Sequence, residues 1–184
     1  MRYEKNVQLK NSLPCRIRAA EEADGAAVLE ALLEIKRETD FLVGYPEECT
    51  LTAESEGAFL KSKAESPGEV QLIALVDGTV AGIAAVSALS ARQKLRHRAE
   101  FSISVRKEFW GLGLGKALTA CCIEAARQAG YAQLELEVVA DNTRAMGLYR
   151  HLGFREYGRN PKGLRSKYTG WQTLVLMYLD LEEN

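Results

Sequence analysis

No run in this sequence approaches the ~20 consecutive apolar residues that a membrane helix needs. The opening residues, Met1-Arg2-Tyr3-Glu4-Lys5-Asn6, lack the apolar segment of a secretory leader. Neither charge sign dominates, because 24 Lys and Arg face 25 Asp and Glu, for a net −1. That balance excludes a sequence-independent nucleic-acid binder, which works through a strongly basic face. Metal and disulfide chemistry have little material. There are two histidines, His97 and His151, and the four cysteines, Cys15, Cys49, Cys121 and Cys122, form no C-x-x-C pair. Cys121 and Cys122 are adjacent, which is poor geometry for bridging each other. The expectation is reduced thiols, no metal, and a cytoplasmic protein with no membrane or nucleic-acid partner.

What is present is an ordinary globular composition. With 47% hydrophobic residues the chain can bury a core and is not disordered. Its 184 residues suit a single domain over 1–184 that buries roughly 70% of its unfolded surface. Apolar periodicity alternates between strand-like and helix-like, so the class is mixed α/β. A first strand spans Pro14 to Arg18. A helix follows from about Ala23 to Thr39, its buried stripe Ala27, Val28, Ala31, Leu32 and Ile35. Residues 40–50 read as a loop with Gly44 and Pro46. A second helix, capped by Thr52, runs to Ala64. Val70–Val76 and Thr79–Leu89 form a hairpin around Asp77-Gly78. Gln93–Arg98 is a basic connector. Glu100–Val105 is a strand that sends Phe101, Ile103 and Val105 one way and Glu100, Ser102 and Ser104 the other.

Trp110-Gly111-Leu112-Gly113-Leu114-Gly115-Lys116 then opens a long helix that Gly130 ends. Leu134, Leu136 and Val138 alternate with Glu135 and Glu137 in the next strand. Asp141-Asn142 starts a helix reaching about Leu152. Phe154–Tyr157 and Trp171–Leu179 are the last strands, joined by a long turn-rich connection, Arg159–Gly170.

A strand running through glycines into a helix start makes an anion site. The first-turn N–H groups lack intrahelical partners, the dipole end is positive, and glycine lets the backbone approach a phosphate. The donors are the N–H groups of about Leu112 to Lys116. The plainer alternative is a tight strand–helix corner with no ligand. Two familiar phosphate motifs fail. A P-loop needs glycine where Trp110 stands and a hydroxyl where Ala117 follows Lys116. The dinucleotide fingerprint needs glycine at Lys116, and Asp141 lies too far on to be its ribose-binding acid.

Val105, four residues, then Trp110-Gly111-Leu112-Gly113-Leu114-Gly115 and Leu118 resemble the acyl-CoA signature of the GNAT family of N-acetyltransferases. Leu136-Glu137-Val138, Asn142, Ala145, Leu148-Tyr149 and Leu152-Gly153-Phe154 resemble that family's second motif, in matching register. The two motifs fall within 99–130 and 134–157. One departure is Trp110, where the family often has Arg or Gln; its phosphate contacts come from backbone amides, so the site is expected to survive.

The resemblance implies a mixed, V-splayed sheet of about seven strands flanked by about four helices. Acetyl-CoA would enter between the strands carrying Val105 and Glu137. Its diphosphate would meet Gly111, Leu112, Gly113, Leu114, Gly115 and Lys116, and its pantetheine arm the backbone of Ile103, Ser104 and Val105 and the side chain of Asn142. An amine would attack the thioester directly. A lysine-like amine has a pKa of ~10.4 and must first lose a proton. Glu100 and Glu137, one on each flanking strand, are equal candidates for the base, and both also read as solvated strand carboxylates. A backbone N–H near Val105 can hold the oxyanion. In the family the position of Tyr149 returns a proton to the CoA thiolate, so Tyr149 is the candidate acid and a cofactor contact.

The acceptor is less legible. Residues 21–56 carry eleven acids and two bases, and residues 155–168 carry five bases and one acid. The first surplus favours a cationic acceptor, either a small amine or a protein Lys or N-terminus. The second segment reads as a cover over the acceptor, a partner contact or a mobile loop. A catalytically silent acyl-CoA-binding module on the same fold is the alternative to an enzyme, and a homodimer is a possible assembly.

Overall fold

The computed structural model describes residues 1–182. Charged residues open the chain in β1 (Glu4–Gln8), which pairs antiparallel with β2 (Pro14–Ala19). This strand is absent from the apolar pattern because its side chains are mostly exposed. Backbone pairing and a two-pronged contact from Arg16 to Glu4 hold it instead. A 3-10 turn at Glu22–Asp24 leads into α1 (Gly25–Glu38), so the regular helix starts two residues later than the sequence suggests. α2 (Ala53–Glu65) is capped as expected, with the Thr52 hydroxyl accepting from the Ser55 N–H. The two helices cross where Gly25 and Gly57 meet backbone to backbone; a Cβ on Gly25 would lie 2.4 Å from the Ala53 carbonyl.

β3 (Val70–Val76) and β4 (Thr79–Ala88) form the expected hairpin, with positive φ at both Asp77 and Gly78, as the favoured two-residue turn requires. β5 (Arg98–Val105) follows, then α3 (Leu114–Gln128), β6 (Gln133–Val139), α4 (Thr143–His151), β7 (Arg155–Ser166) and β8 (Gly170–Asp180). The sheet order is β1-β2-β3-β4-β5-β6-β8-β7. It therefore has eight strands, with four α-helices, and confirms the mixed class.

The largest departure from the sequence reading lies at the C-terminal end. The supposed turn-rich connection 159–170 is mostly strand: β7 runs unbroken to Ser166 and pairs with β8 along its length. Gly158 and Pro161 fall at two register shifts, Glu156/Gly158 and Asn160/Leu164. An edge strand tolerates proline and glycine at such irregularities because no second partner needs the missing N–H.

Two apolar layers sandwich the sheet. Leu114, Leu118, Cys121, Cys122 and Ala125 of α3, with Met146 and Tyr149 of α4, pack on one face against Ala99, Phe101, Leu134, Leu136 and Val138. Val28, Ala31 and Leu60 of α1 and α2 cover the other face through Ile73, Val80 and Ile83. Strand alternation then puts Glu100 of β5 and Glu135 and Glu137 of β6 on the α1–α2 side.

Candidate active site

β5 and β6 form the sheet's parallel pair, and they separate almost at once. They pair only at Arg98↔Gln133, Ala99↔Leu134 and Glu100↔Glu135. Both strands carry on, β5 held by β4 as far as Val105 and β6 held by β8 as far as Val139. A gap therefore opens through the sheet. Its vertex is locked by Arg98, whose guanidinium grips the Glu135 carboxylate with two bonds, one of 2.7 Å. The adjacent cation holds the Glu135 carboxyl below the usual carboxylate range despite burial.

The gap is the mouth of a cleft of about 500 Å³. Glu100, Ile103, Ser104, Val105, Gly111, Gly113, Leu114, Gly115, Glu137, Asn142 and Tyr149 all line it. Leu112 and Lys116 do not. Leu112 packs on the core and its carbonyl accepts the Lys10 N–H at 2.9 Å. The Lys116 ammonium turns away to His151 Nε2 at 3.2 Å. Any contact from these two residues to a ligand in the cleft therefore comes from the backbone.

The glycine turn has the form of an anion cradle. Gly111 and Gly113 adopt φ of +79° and +88°, which disfavours side chains, and a Cβ on either would meet only open space. Gly113 caps α3 with no side-chain hydrogen bond, so among the described residues no capping side chain occupies the first N–H groups of the helix. Gly115 instead serves packing, since a Cβ there would lie 3.3 Å from Leu148.

On β5, the Arg106 N–H bonds the Ala81 carbonyl of β4 at 3.0 Å. Alternation then directs the backbone of Ser104 to β4 as well, and that of Ile103 and Val105 to the gap. Ser104 is thus a lining residue whose own peptide groups are engaged elsewhere. The Val105 carbonyl accepts the Trp110 indole N–H at 2.8 Å. The Ile103 groups and the Val105 N–H are left to face an incoming strand-like ligand.

Tyr149 reaches the gap from the helix face. Its ring packs edge-on against Phe101 (6.1 Å between centroids) and tilted against Phe154 (5.7 Å). Its hydroxyl has no hydrogen-bond partner among the described residues, and burial pushes its pKa above the ordinary tyrosine value. Glu100 and Glu137 approach from the opposite face, and both are exposed. The Asn142 carboxamide caps α4 by accepting the Ala145 N–H at 3.2 Å.

The α1–α2 side of the cleft is walled by Ile35, Thr39, Phe41, Leu42 and Val43, with Leu164 and Leu174 of the β7–β8 hairpin opposite. The acids of 21–56 are not in this wall. The lining carboxylates are Glu100, Glu137 and Asp141. Sequence reasoning missed the tie that holds the wall. Asp40 Oδ2 accepts from Ser166 Oγ (2.6 Å), Gln172 Nε2 (3.1 Å) and Thr169 Oγ1 (3.2 Å), strapping the loop to the hairpin. No local pattern reveals a contact across more than 120 residues. Arg144 was also missed. It lines the cleft with its guanidinium 4.8 Å from the centre of the Trp110 ring.

A mixed sheet split between two parallel strands, with a glycine turn and a helix start at the mouth of the split, is the architecture of a coenzyme A-dependent acyltransferase. The profile of the acetyltransferase (GNAT) family matches residues 27–154, and the chain belongs to that family. It is similar to the GNAT acetyltransferase of Streptococcus pneumoniae, at 31% identity and a TM-score of 0.86 over 90% of this chain and 99% of that one. An acetyltransferase from Salmonella typhimurium, solved with its cofactor acetyl-CoA, aligns at 25% identity and a TM-score of 0.81, over 92% of this chain and 95% of the other. The L-amino acid N-acyltransferase MnaT of Escherichia coli is 26% identical over 91% of this chain and 94% of its own length. Among the described residues no helix is long and apolar enough to cross a membrane, and no His, Cys, Asp and Glu cluster could hold a metal.

Proposed function

We propose that this enzyme transfers the acetyl group of acetyl-CoA directly to a primary amine. The observation that carries the reading is the gap itself: the glycine cradle sits at its mouth, Tyr149 reaches it from one sheet face, and Glu100 and Glu137 reach it from the other. Acetyl-CoA supplies the activated acyl group. The glycine-turn amides hold its diphosphate. The backbone of Ile103 and Val105 aligns its arm as an added strand, with Asn142 beside it. Glu100 or Glu137, directly or through water, takes the proton from the ammonium so that the amine can attack. The Val105 N–H stabilises the oxygen that gains charge. Tyr149 stays protonated because it is buried, and it donates to the departing thiolate, while the second proton of the attacking nitrogen, released as the C–S bond breaks, replaces the one the tyrosine gave.

The wall of Phe41, Leu42, Val43, Leu164 and Leu174 suits an amine on an apolar body, drawn in by the three carboxylates. The cleft's basic side chain, Arg144, stands by the glycine turn, so the acceptor side offers no cation for a free α-carboxylate. Although MnaT by its name acts on L-amino acids, the acceptor here is an amine without an adjacent carboxylate: a small apolar amine, or a Lys or N-terminus of a peptide. The buried thiols of Cys15, Cys121 and Cys122 suit the reducing cytoplasm.

The test is release of free thiol from acetyl-CoA with paired acceptors, such as leucinamide against leucine and phenethylamine against phenylalanine. Turnover with the uncharged-body member of each pair is the expected result. Preference for the free acids refutes the acceptor reading. Tight CoA binding with no thiol released by any amine refutes the enzyme and leaves a silent acyl-CoA-binding module.

A further inference from the structure

We infer that Arg144, seated on the indole of Trp110, is the side-chain clamp for a phosphate group of the coenzyme A thioester. The inference rests on the proposed acetyl-CoA reading and adds a residue that neither sequence motif marks out. Three observations carry it.

The platform is fixed. Trp110 immediately precedes the glycine turn, and its indole N–H bonds the Val105 carbonyl at 2.8 Å. That bond ties the ring to the end of β5, so its face does not swing with the loop. The Arg144 guanidinium lies 4.8 Å from the ring centre, within cation–π range. Stacking uses the flat face of a guanidinium and leaves its N–H edge free to meet an oxyanion in two-pronged fashion.

The cation is also unspent. Arg98, Arg18 and Arg159 each pair with a carboxylate, whereas Arg144 has no ion-pair partner among the described residues, although Asp141 and Glu137 line the same cleft. Its position makes this more telling. Asn142 caps α4 and Arg144 occupies the first turn, where the helix dipole disfavours a positive side chain. An arginine placed against the dipole, stacked rather than paired, is arranged for a mobile anion.

Finally, the described residues that line the cleft offer no second cation. Arg144 is the basic residue among those lining the cleft, since Lys116 turns to His151. The glycine turn offers amides but no formal positive charge, and Arg144 supplies one from the neighbouring helix.

Coenzyme A carries phosphate both in its diphosphate and on its ribose, and the test separates the two. Binding of CoA and 3′-dephospho-CoA is measured by calorimetry for the wild type, Arg144→Ala, Arg144→Lys and Trp110→Phe. Turnover of phosphate-free acetylpantetheine is measured alongside. Arg144→Ala is expected to weaken CoA at least about tenfold, as loss of a charge-assisted pair does. It should also flatten the salt dependence of binding, with acetylpantetheine turnover unchanged. Arg144→Lys should lose less than Arg144→Ala, and Trp110→Phe, which keeps an aromatic face but loses the indole tie to Val105, should lose an intermediate amount. An equal loss with 3′-dephospho-CoA assigns the contact to the diphosphate, and a loss confined to CoA assigns it to the ribose phosphate. Wild-type CoA affinity in Arg144→Ala, or an equal drop with acetylpantetheine, overturns the inference. A wild type that binds no CoA at all overturns the underlying reading instead.

Discussion

Gly113 offers a test in which backbone strain and ligand repulsion can be separated. Replacing it with Glu has two costs. The first is conformational: φ is +88°, and an L-residue there costs about 1–2 kcal/mol of stability. No steric term adds to this, because a Cβ at Gly113 meets nothing within 4 Å. The second is electrostatic and appears only with ligand. A carboxylate about 5 Å from a phosphate repels it by about 3 kcal/mol at an effective dielectric of about 20, and exposure of the turn roughly halves that. Each phosphate charge so opposed weakens binding by about 1.5–3 kcal/mol, or 10–150-fold. The structure supplies a matched control. Gly78 in the β3–β4 turn has φ of +80° and equally open surroundings, but it lies outside the cleft. Gly113→Glu and Gly78→Glu should therefore lose similar stability in urea titrations, while only Gly113→Glu loses CoA affinity by calorimetry. Wild-type CoA affinity in Gly113→Glu, or equal affinity losses in both variants, refutes the placement of the phosphates at this turn.

Three further outcomes follow from the same geometry. Tyr149→Phe removes a hydroxyl with no hydrogen-bond partner among the described residues, so stability and acetyl-CoA affinity should hold while kcat falls by about 100-fold or more; because burial raises the Tyr149 pKa, wild-type turnover should show no alkaline decline below about pH 10. Unchanged kcat in the variant removes Tyr149 from the mechanism. Glu135→Gln should cost about 1–2 kcal/mol in urea unfolding at pH 7 by leaving Arg98 unpaired. The folded carboxyl titrates below the unfolded value of ~4.3, so the pair stabilises above that pH and its contribution fades as pH falls through the lower folded value. The gap between variant and wild type should shrink at pH 3, and a constant gap refutes the assignment. Asp40→Ala frees the Phe41–Val43 wall from the hairpin, so the acceptor KM should rise several-fold with the CoA dissociation constant unchanged; an unchanged acceptor KM detaches that loop from acceptor binding.

How much of this was readable beforehand depended on whether the signal was local. The glycine turn, the Asn142 cap, the Asp77-Gly78 hairpin and the carboxylates of the two flanking strands each follow from residues within one turn or one alternation. β1 and the second half of β7 escaped because edge strands take their order from a neighbour's backbone, not from an apolar stripe of their own. Glu4–Gln8 is nearly all polar, and residues 155–166 mix glycine, proline and charge at register shifts. The acid surplus of 21–56 lies outside the cleft lining for a related reason. Composition counts charges without direction, and the wall this segment gives the cleft is Ile35, Thr39, Phe41, Leu42 and Val43. Lys116 adjoins the glycine turn in sequence but faces His151, whereas Arg144, 28 residues further on, faces the cleft.

The two-sided layout carries a consequence that neither motif states. Because strand alternation sends Glu100 and Glu137 to the α1–α2 face while Tyr149 comes from the α3–α4 face, the sheet itself separates the proposed proton acceptors from the proposed donor. The surroundings on the two sides are unlike, a buried aromatic pocket around Tyr149 and an exposed strand face around Glu100 and Glu137. The short three-residue pairing at the vertex, locked by Arg98 and Glu135, sets how far the strands part, and so fixes the distance across which the acyl group must lie.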